Sequence, residues 1–353
     1  MCCNICRVGF LAYLVAVGAW LLPAISSAQE SVKLKPNSAS EPLAREWSRQ
    51  KAGEFLDRAA ENWLKTRRCA SFHSTYSYLM ARPALGDPNA PTLLKIRKYL
   101  EDRVANWDSG KEEDGLLPGS EGPAEVVAVA ATLAFHDATS TGKLHLRTRQ
   151  ALDRMWKIQR ADGIWDWNKH DLPPQEHDDY FGALFAALGI GHAPEGYAQE
   201  KAIEPGLDRL RAFFRKNPPR DLHHRAWLLW ASLKLDGLMT DTERQQTIKD
   251  LRALQRPDGG WNLPSLGNWK RHDGTANDKQ ASSDGYATGL VVTILRRADV
   301  KAEDEAIRKA VDWLKTHQRE SGRWFTRSLS ADRAHYITHA GSAYAVMALR
   351  DAE

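Results

Sequence analysis

The sequence places several side chains that can transfer protons directly before an apolar segment. Glu176, His177, Asp178 and Asp179 precede the run "YFGALFAALGI". Carboxylates and imidazoles in such a position can act as general acids or bases. They can equally cap a helix, because acidic side chains accept hydrogen bonds from the free N–H groups of a first turn and suit the helix dipole. Capping is the more common role of acidic residues at a helix start, and both interpretations stay open at this stage.

Polar side chains also begin other apolar segments: His224, Asp284, Tyr286 and His339, in addition to His177 and Tyr180 of the first segment. If these segments run side by side, their starts gather on one rim of the domain, where a concave ligand site is expected. On a saccharide-binding rim, Asp178, Asp284 and His224 would be the acid/base candidates. Capping and close helix packing would explain the same residues without a ligand.

The sequence predicts no metal and no cofactor. "CASFH" (Cys69–His73) is one residue short of the Cys-x-x-Cys-His motif that attaches haem, because Phe72 stands where the second thiol is needed. We therefore interpret Cys69 as a small buried residue. The histidines and cysteines do not have the spacing of a zinc site.

The elements that must hold these residues are helices. After about Ser48 nearly every apolar segment has helical spacing, and no convincing alternating strand pattern occurs. Segments rich in Ala, Leu and aromatic residues, such as 124–137, alternate with amphipathic ones, such as 147–160. Segments of the first kind recur at a spacing of roughly 45–60 residues. This pattern predicts helical pairs stacked side by side.

One motif recurs where amphipathic segments end. The chain reads "QRADGIW", "QRPDGGW" and "QRESGRW", which places the same residue types at Gln159, Gly163 and Trp165, at Gln255, Gly259 and Trp261, and at Gln318, Gly322 and Trp324. A Gln amide can pair with free backbone groups at helix ends. Gly can adopt the left-handed conformation that stops a helix, and Trp can pack while its indole N–H is hydrogen-bonded. We expect these turns to be structural staples between repeats.

These turns resemble the repeats of the squalene–hopene cyclase and oxidosqualene cyclase family over about residues 124–349. The resemblance implies an all-α fold, the α/α toroid, in which outer helices surround inner helices. It also implies that Glu176, Asp178 and Asp179 replace the family's Asp-x-Asp-Asp-Thr-Ala motif, with Asp178 as the donor of a proton to an isoprenoid lipid. The motif differs at three of its six positions, which puts cyclisation in doubt.

Three functions remain open, because one fold carries many activities. The first is a cyclase-like protein that binds or protonates a polyprenyl substrate or another small-molecule ligand. The second is a non-enzymatic helical-repeat binding or scaffold protein, and the third is a polysaccharide lyase or glycosidase. An open aromatic cavity favours the first, a filled centre the second, and a groove lined by Asp, Arg, His and Tyr the third. The first leads by resemblance alone.

The N-terminal residues predict export to the periplasm or the extracellular space. Residues 1–28 combine an early arginine, an apolar run and a small-residue cleavage site, as a secretory signal peptide does. The mature chain would have no transmembrane span. Residues 29–48 read as a flexible polar segment, and residues 49–353 as a single toroid domain. The net charge of +4 is spread without runs and predicts no nucleic-acid binding.

Overall fold

The structure is a computed structural model that describes residue 34 and residues 36–107, 122–169, 171–332, 334 and 336–353. Over these residues the chain forms twelve α-helices, and the β-structure consists of isolated bridges. The predicted signal peptide, residues 1–28, lies outside the described residues. No helix in the described part of the chain has both the length and the apolar character needed to cross a membrane.

The helices alternate between outer and inner positions. The outer helices are α1 (Arg49–Arg67), α3 (Pro91–Asn106), α5 (Leu146–Lys157), α7 (Glu204–Lys216), α9 (Asp241–Ala253) and α11 (Glu305–Thr316). The inner helices are α2 (Ser77–Ala81), α4 (Pro123–Ser140), α6 (Asp179–His192), α8 (Leu222–Ser232), α10 (Gly285–Arg297) and α12 (Tyr336–Asp351). A π-helical turn, Phe72–Tyr76, leads directly into α2. The inner helices contact one another in the order α2, α4, α6, α8, α10, α12 and back to α2, which confirms the predicted all-α toroid.

Composition explains which helices are inner. Helix α6 is apolar almost all round, and every residue from Tyr180 to Ile190 is buried. Helix α11 is amphipathic and buries one stripe of residues, Ile307, Ala310, Trp313 and Leu314. A helix that is apolar on all faces needs neighbours on all sides, whereas an amphipathic helix covers its neighbours with one face and meets water with the other. The apolar segments seen in the sequence therefore form the inner ring of helices, and the amphipathic segments form the outer ring.

The tryptophans of the three repeat turns share one geometry. Each indole N–H donates to the backbone carbonyl ten residues earlier, at 2.7 Å: Trp165 to Met155, Trp261 to Leu251, and Trp324 to Leu314. All three indoles are fully buried. The accepting carbonyls belong to the last turn of the preceding outer helix, where the regular hydrogen-bond ladder ends. Each tryptophan therefore fixes the path of the chain as it leaves an outer helix.

The glutamines join each turn to the next outer helix. Their Nε2 groups donate to the carbonyl of the glycine in the same turn, and also to a carbonyl at the start of the next outer helix: Gln159 to Gly206, Gln255 to Ala306, and Gln318 to Ser48. The turn glycines have positive φ values, and a Cβ at Gly322 would lie 2.0 Å from the carbonyl oxygen of Lys51. Glycine is required there both by its conformation and by this close approach.

The segment before α1 is attached to the domain. Asn37 is buried, and its side-chain amide donates to the carbonyl of Thr326 at 3.0 Å. Glu41 accepts a hydrogen bond from Arg323 Nε at 2.6 Å, and both side chains of this pair are buried. In place of the flexibility expected for residues 29–48, the described part of this segment packs on the last repeat turn. Composition did not reveal it, because these contacts join residues that are far apart in sequence and do not depend on local hydrophobicity.

Candidate active site

Three aspartates begin neighbouring inner helices at one end of the barrel. Asp178, Asp221 and Asp284 are the N-caps of α6, α8 and α10. Each accepts a hydrogen bond at 2.9–3.0 Å from the N–H group three residues later. Because each inner helix is followed by an outer helix that returns the chain, these helices run in the same direction and start at the same end. Capping accounts for one oxygen of each aspartate, and the three differ in how their remaining atoms are used.

Asp284 is fully engaged in the fold. Its Oδ2 accepts from the N–H of Leu263 at 2.5 Å, and its Oδ1 accepts from the Thr326 hydroxyl at 3.3 Å in addition to the capping bond. Burial raises the pKa of Asp284 to about 6, although these donors favour its ionised form. This candidate from the sequence therefore ties two loops to the start of α10, and both of its oxygens accept hydrogen bonds from the protein.

Asp178 keeps one oxygen available. Its Oδ1 caps α6 and lies 3.5 Å from His224 Nε2. Its Oδ2 has no hydrogen-bond partner among the described residues and lies 3.4 Å from Arg220 Nη1. Burial by itself would raise the pKa of Asp178, but the hydrogen bond and charge of His224, the Phe181 N–H and the charge of Arg220 lower it to about 2. A buried carboxylate that is ionised at neutral pH can act as a base or a nucleophile.

Tyr180 and His224 lie beside Asp178, as the sequence predicted for one rim. Their rings are 5.1 Å apart, and both side chains are buried. The Tyr180 hydroxyl has no hydrogen-bond partner among the described residues. Burial, together with the charge of Asp178, raises the pKa of Tyr180. The hydroxyl therefore stays protonated and can donate or accept a hydrogen bond.

Asp179 anchors the loop that follows the first repeat turn. It accepts from the backbone N–H of Trp167 at 2.9 Å. Its other oxygen lies 2.9 Å from Lys169 Nζ and 3.1 Å from Arg160 Nη1. These contacts hold the loop against the start of α6, so the carboxylate of Asp179 is engaged in structure.

Glu176 and His177 lie in that loop, directly before the N-cap of α6. Glu176 is buried. The pKa of His73 is lowered by the burial of His73, and the negative charge of Glu176 acts in the opposite direction. His177 Nδ1 lies 3.1 Å from the exposed Asp171, whose other oxygen is 3.5 Å from His272 Nε2. In the described part of the chain, no group of three or more His, Cys, Asp and Glu is arranged to hold a metal ion.

Tyr286 and His339 both stand near helix starts and contact side chains other than Asp178. The Tyr286 hydroxyl is 2.9 Å from His223 Nε2, inside the barrel. The His339 ring lies 5.6 Å from the ring of Phe55, on the outer helix α1. Sequence position placed both residues near a helix start, but the rotation of each helix about its axis decides where a side chain points.

Aromatic rings fill the centre of the barrel. They come from the π-helical turn, the loop after the first repeat turn and four inner helices, and neighbouring rings are 4.8–6.3 Å apart: Phe72, Trp167, Phe181, Phe185, Trp227, Tyr286 and Tyr344. All seven side chains are buried. Phe72, which occupies the position of the missing haem cysteine, is thus a core residue.

Several buried polar atoms at this end have no hydrogen-bond partner among the described residues: His73 Nδ1, Gln175 Oε1, Asp178 Oδ2, Tyr180 Oη and His223 Nδ1. Sequence reasoning missed His73, Gln175 and His223 as parts of a site. The one signal was the adjacent pair His223 and His224, whose side chains point to different faces of α8. Buried polar groups are almost always hydrogen-bonded, so water or a ligand must supply the missing partners.

Comparison with known proteins shows likeness of fold. No protein-family model matches the chain, and no curated protein matches it significantly. It is similar in structure to a glycosyl hydrolase family 88 protein from Bacteroides vulgatus, with a TM-score of 0.51 and 13% identity over 86% of this chain and 98% of that one. It is also similar to a possible member of the GH105 family from Klebsiella pneumoniae subsp. pneumoniae MGH 78578, with a TM-score of 0.50 and 11% identity over 95% and 98% of the two chains. These likenesses confirm the toroid; membership of the cyclase family has no support from them.

Proposed function

We propose that the chain is an exported glycosidase that cleaves a glycosidic bond of an oligosaccharide or polysaccharide, with Asp178 at the reacting centre. The observation that carries this proposal is the buried carboxylate of Asp178, whose Oδ2 has no hydrogen-bond partner among the described residues. The two similar solved structures, one named a family 88 glycosyl hydrolase and the other a possible GH105 member, are in keeping with it. Export rests on the predicted signal peptide.

A polar ligand suits this end of the barrel better than a hydrocarbon. The partnerless buried atoms there include both donors and acceptors, such as the Tyr180 hydroxyl and Gln175 Oε1. Sugar hydroxyls both donate and accept hydrogen bonds, whereas an isoprenoid chain can do neither and would leave these groups unsatisfied at a cost of about 1–3 kcal/mol each. The packed aromatic rings in the centre also occupy the space that a polyprenyl chain would need. These observations favour the saccharide over the isoprenoid lipid.

The charge state of Asp178 defines its role in the proposed reaction. Hydrolysis joins the oxygen of water to the sugar carbon, breaks the bond from that carbon to the leaving oxygen, and places a proton on the leaving oxygen. Since Asp178 is ionised, it accepts the proton of the attacking water or attacks the carbon itself, in contrast to the proton donor implied by the cyclase resemblance. The leaving oxygen takes its proton from a second acid.

A second candidate function is a non-catalytic saccharide-binding or scaffold protein. The observation in its favour is the centre of the barrel, where the rings of Phe72, Phe181 and Trp227 are buried in mutual contact. Such a protein would keep the polar rim for binding and use the toroid as a rigid support. It predicts ligand retention without any change in the ligand.

The test is incubation of the purified protein with a panel of neutral and acidic oligosaccharides, with products analysed by mass spectrometry. Hydrolysis gives fragments whose masses sum to that of the substrate plus one water, whereas a lyase gives fragments without added water. Asp178→Asn should lose at least about 100-fold in rate, because the base or nucleophile is removed. The variant should still fold, since Asn caps helices as well as Asp does.

Asp208→Asn, which changes an exposed aspartate of α7, is the matched control and should retain full activity. Equal cleavage by the wild type and Asp178→Asn would exclude Asp178 as the reacting carboxylate. Retention of a saccharide without cleavage, by the wild type and both variants, would favour the binding protein. Neither cleavage nor retention across the panel would reject the saccharide proposal for those ligands.

A further inference from the structure

His224 lies between two carboxylates. Its Nε2 is 3.5 Å from Asp178 Oδ1, and its Nδ1 is 3.4 Å from Asp221 Oδ1. The side chain of His224 is 3% exposed, so these groups meet almost without solvent. Contacts of this length between catalytic groups commonly shorten when a ligand binds. The arrangement runs from Asp221 through the imidazole to the carboxylate of the proposed reacting centre.

Asp221 contacts both the backbone and the ring of His224. The oxygen that faces Nδ1 accepts the backbone N–H of His224, at 2.9 Å, as the N-cap of α8. It lies 3.4 Å from Nδ1, which has no hydrogen-bond partner among the described residues, and Nε2 lies on the opposite side of the ring, towards α6. Because Asp178 and Asp221 cap adjacent inner helices, the packing of α6 against α8 fixes the distance across the imidazole. The relationship follows from the two rings of helices and not from a mobile loop.

We propose that His224, restrained by Asp221, is a positioning residue that orients Asp178 and keeps it ionised, so that Oδ2 remains free for the substrate. That the substrate is a saccharide rests on the proposed function. The arrangement of Asp221, His224 and Asp178 is independent of that function and can be tested without any ligand. His224 does not need to touch the reacting atoms in order to act in this way.

The charged and titratable groups around His224 come from three places. Helix α6 and its cap contribute Asp178 and Tyr180, helix α8 and its cap contribute Asp221 and His223, and the turn before α8 contributes Arg220, which faces Asp178. Burial together with the charge of His224 keeps the pKa of His223 well below its usual value, so His223 is neutral.

The first test measures the pKa of Asp178 directly. Proteins labelled with ¹³C at the aspartate carboxyl groups are titrated by NMR, and the Asp178 signal is assigned by its loss in Asp178→Asn. In His224→Gln, which keeps a hydrogen-bond donor but removes the charge, the pKa of Asp178 should rise by about one unit or more, because burial is then less opposed. His145→Gln, at the start of the outer helix α5, should leave it unchanged. An Asp178 pKa that is the same in His224→Gln and the wild type would overturn the proposal.

A second variant covers the case in which His224→Gln does not fold. Asp221→Asn keeps a good helix cap and removes one of the two charges beside the imidazole. The ¹⁵N chemical shifts of the His224 ring, which report on the contact between Nδ1 and Asp221, should change in this variant. Ring shifts identical to those of the wild type would show that Asp221 does not act on the ring, and would also overturn the proposal.

Activity measurements separate this inference from the proposed function. If the wild type cleaves a saccharide, His224→Gln should lower kcat by about 10-fold or more with little change in KM, and should shift the acid limb of the pH profile upward. If the pKa of Asp178 shifts but no saccharide is cleaved, the positioning role of His224 stands and the proposed function fails. If cleavage occurs and His224→Gln alters neither kcat nor the acid limb, the proposed function stands and the positioning role of His224 is rejected.

Discussion

Ser48 and Gln318, which are 270 residues apart in sequence, are joined by two hydrogen bonds. The backbone N–H of Ser48 donates to Gln318 Oε1 at 2.7 Å, and Gln318 Nε2 donates to the carbonyl of Ser48 at 3.0 Å. Ser48 is the N-cap of the first outer helix, and Gln318 follows the last one. This pair therefore closes the toroid with the same type of Gln side-chain hydrogen bond that joins its internal repeats.

Gln318→Ala should lower the free energy of unfolding by about 3 kcal/mol, because it removes three hydrogen bonds, including those of the Ser48 N–H and the Gly322 carbonyl. Urea denaturation followed by circular dichroism measures this loss. Gln50→Ala, at an exposed position of α1, should change the unfolding free energy by less than about 0.5 kcal/mol. Equal stability of the two variants would contradict the role of Gln318 in ring closure.

Gly322→Ala should be more destabilising than a positive φ value alone explains. Gly322 has a φ of 94°, and a Cβ there would meet the backbone of Lys51 at 2.0 Å. Gly274 has a φ of 75°, and no atom lies within 4 Å of its Cβ position. We expect Gly274→Ala to cost about 1 kcal/mol and Gly322→Ala about 3 kcal/mol or more, measured by thermal or urea unfolding. A similar cost at both sites would mean that the turn can move away from α1.

Glu41→Gln should destabilise the fold strongly, because it leaves the charge of Arg323 buried without its carboxylate. Both side chains of this pair are buried. Breaking a buried ion pair by removing one partner costs about 3–5 kcal/mol. Glu305→Gln, which breaks an exposed pair with Lys309 on α11, is the control and should have little effect. If Glu41→Gln lowered the free energy of unfolding as little as Glu305→Gln does, the segment before α1 would contribute little to stability.

The low pKa of Asp178 should make stability depend on pH in acid. The folded pKa of about 2 lies below the usual 3.8, so the ionised form is favoured by folding. This contribution, about 2 kcal/mol, is complete above about pH 4 and is lost as the pH falls through 2. In urea titrations, the wild type should therefore lose stability relative to Asp178→Asn between about pH 4 and pH 2, the interval set by the unfolded and folded pKa values. Parallel pH curves for the two proteins would show that the Asp178 pKa is not lowered.

The sequence alone determined the repeat and the two rings of helices. The spacing of Gln, Gly and Trp in the three turns, and the contrast between all-round apolar and amphipathic segments, are local properties that need no knowledge of distant residues. The predicted starts of inner helices at Asp178 and Asp284 coincide with N-caps of α6 and α10 for the same reason. Helix periodicity and capping act within about one turn of chain, which sequence patterns record directly.

Only the tertiary structure decided which of the candidate carboxylates is available. Asp178 and Asp284 have the same local setting, yet Asp284 accepts hydrogen bonds from Leu263 and Thr326. Asp178 lies beside His224, and its Oδ2, 3.4 Å from Arg220, has no hydrogen-bond partner among the described residues. The tertiary structure also decided that the polar segment before α1 is attached to the last repeat turn through Glu41. In each case the deciding partner lies far away in sequence, and burial and charge depend on which side chains the closed ring of helices brings together.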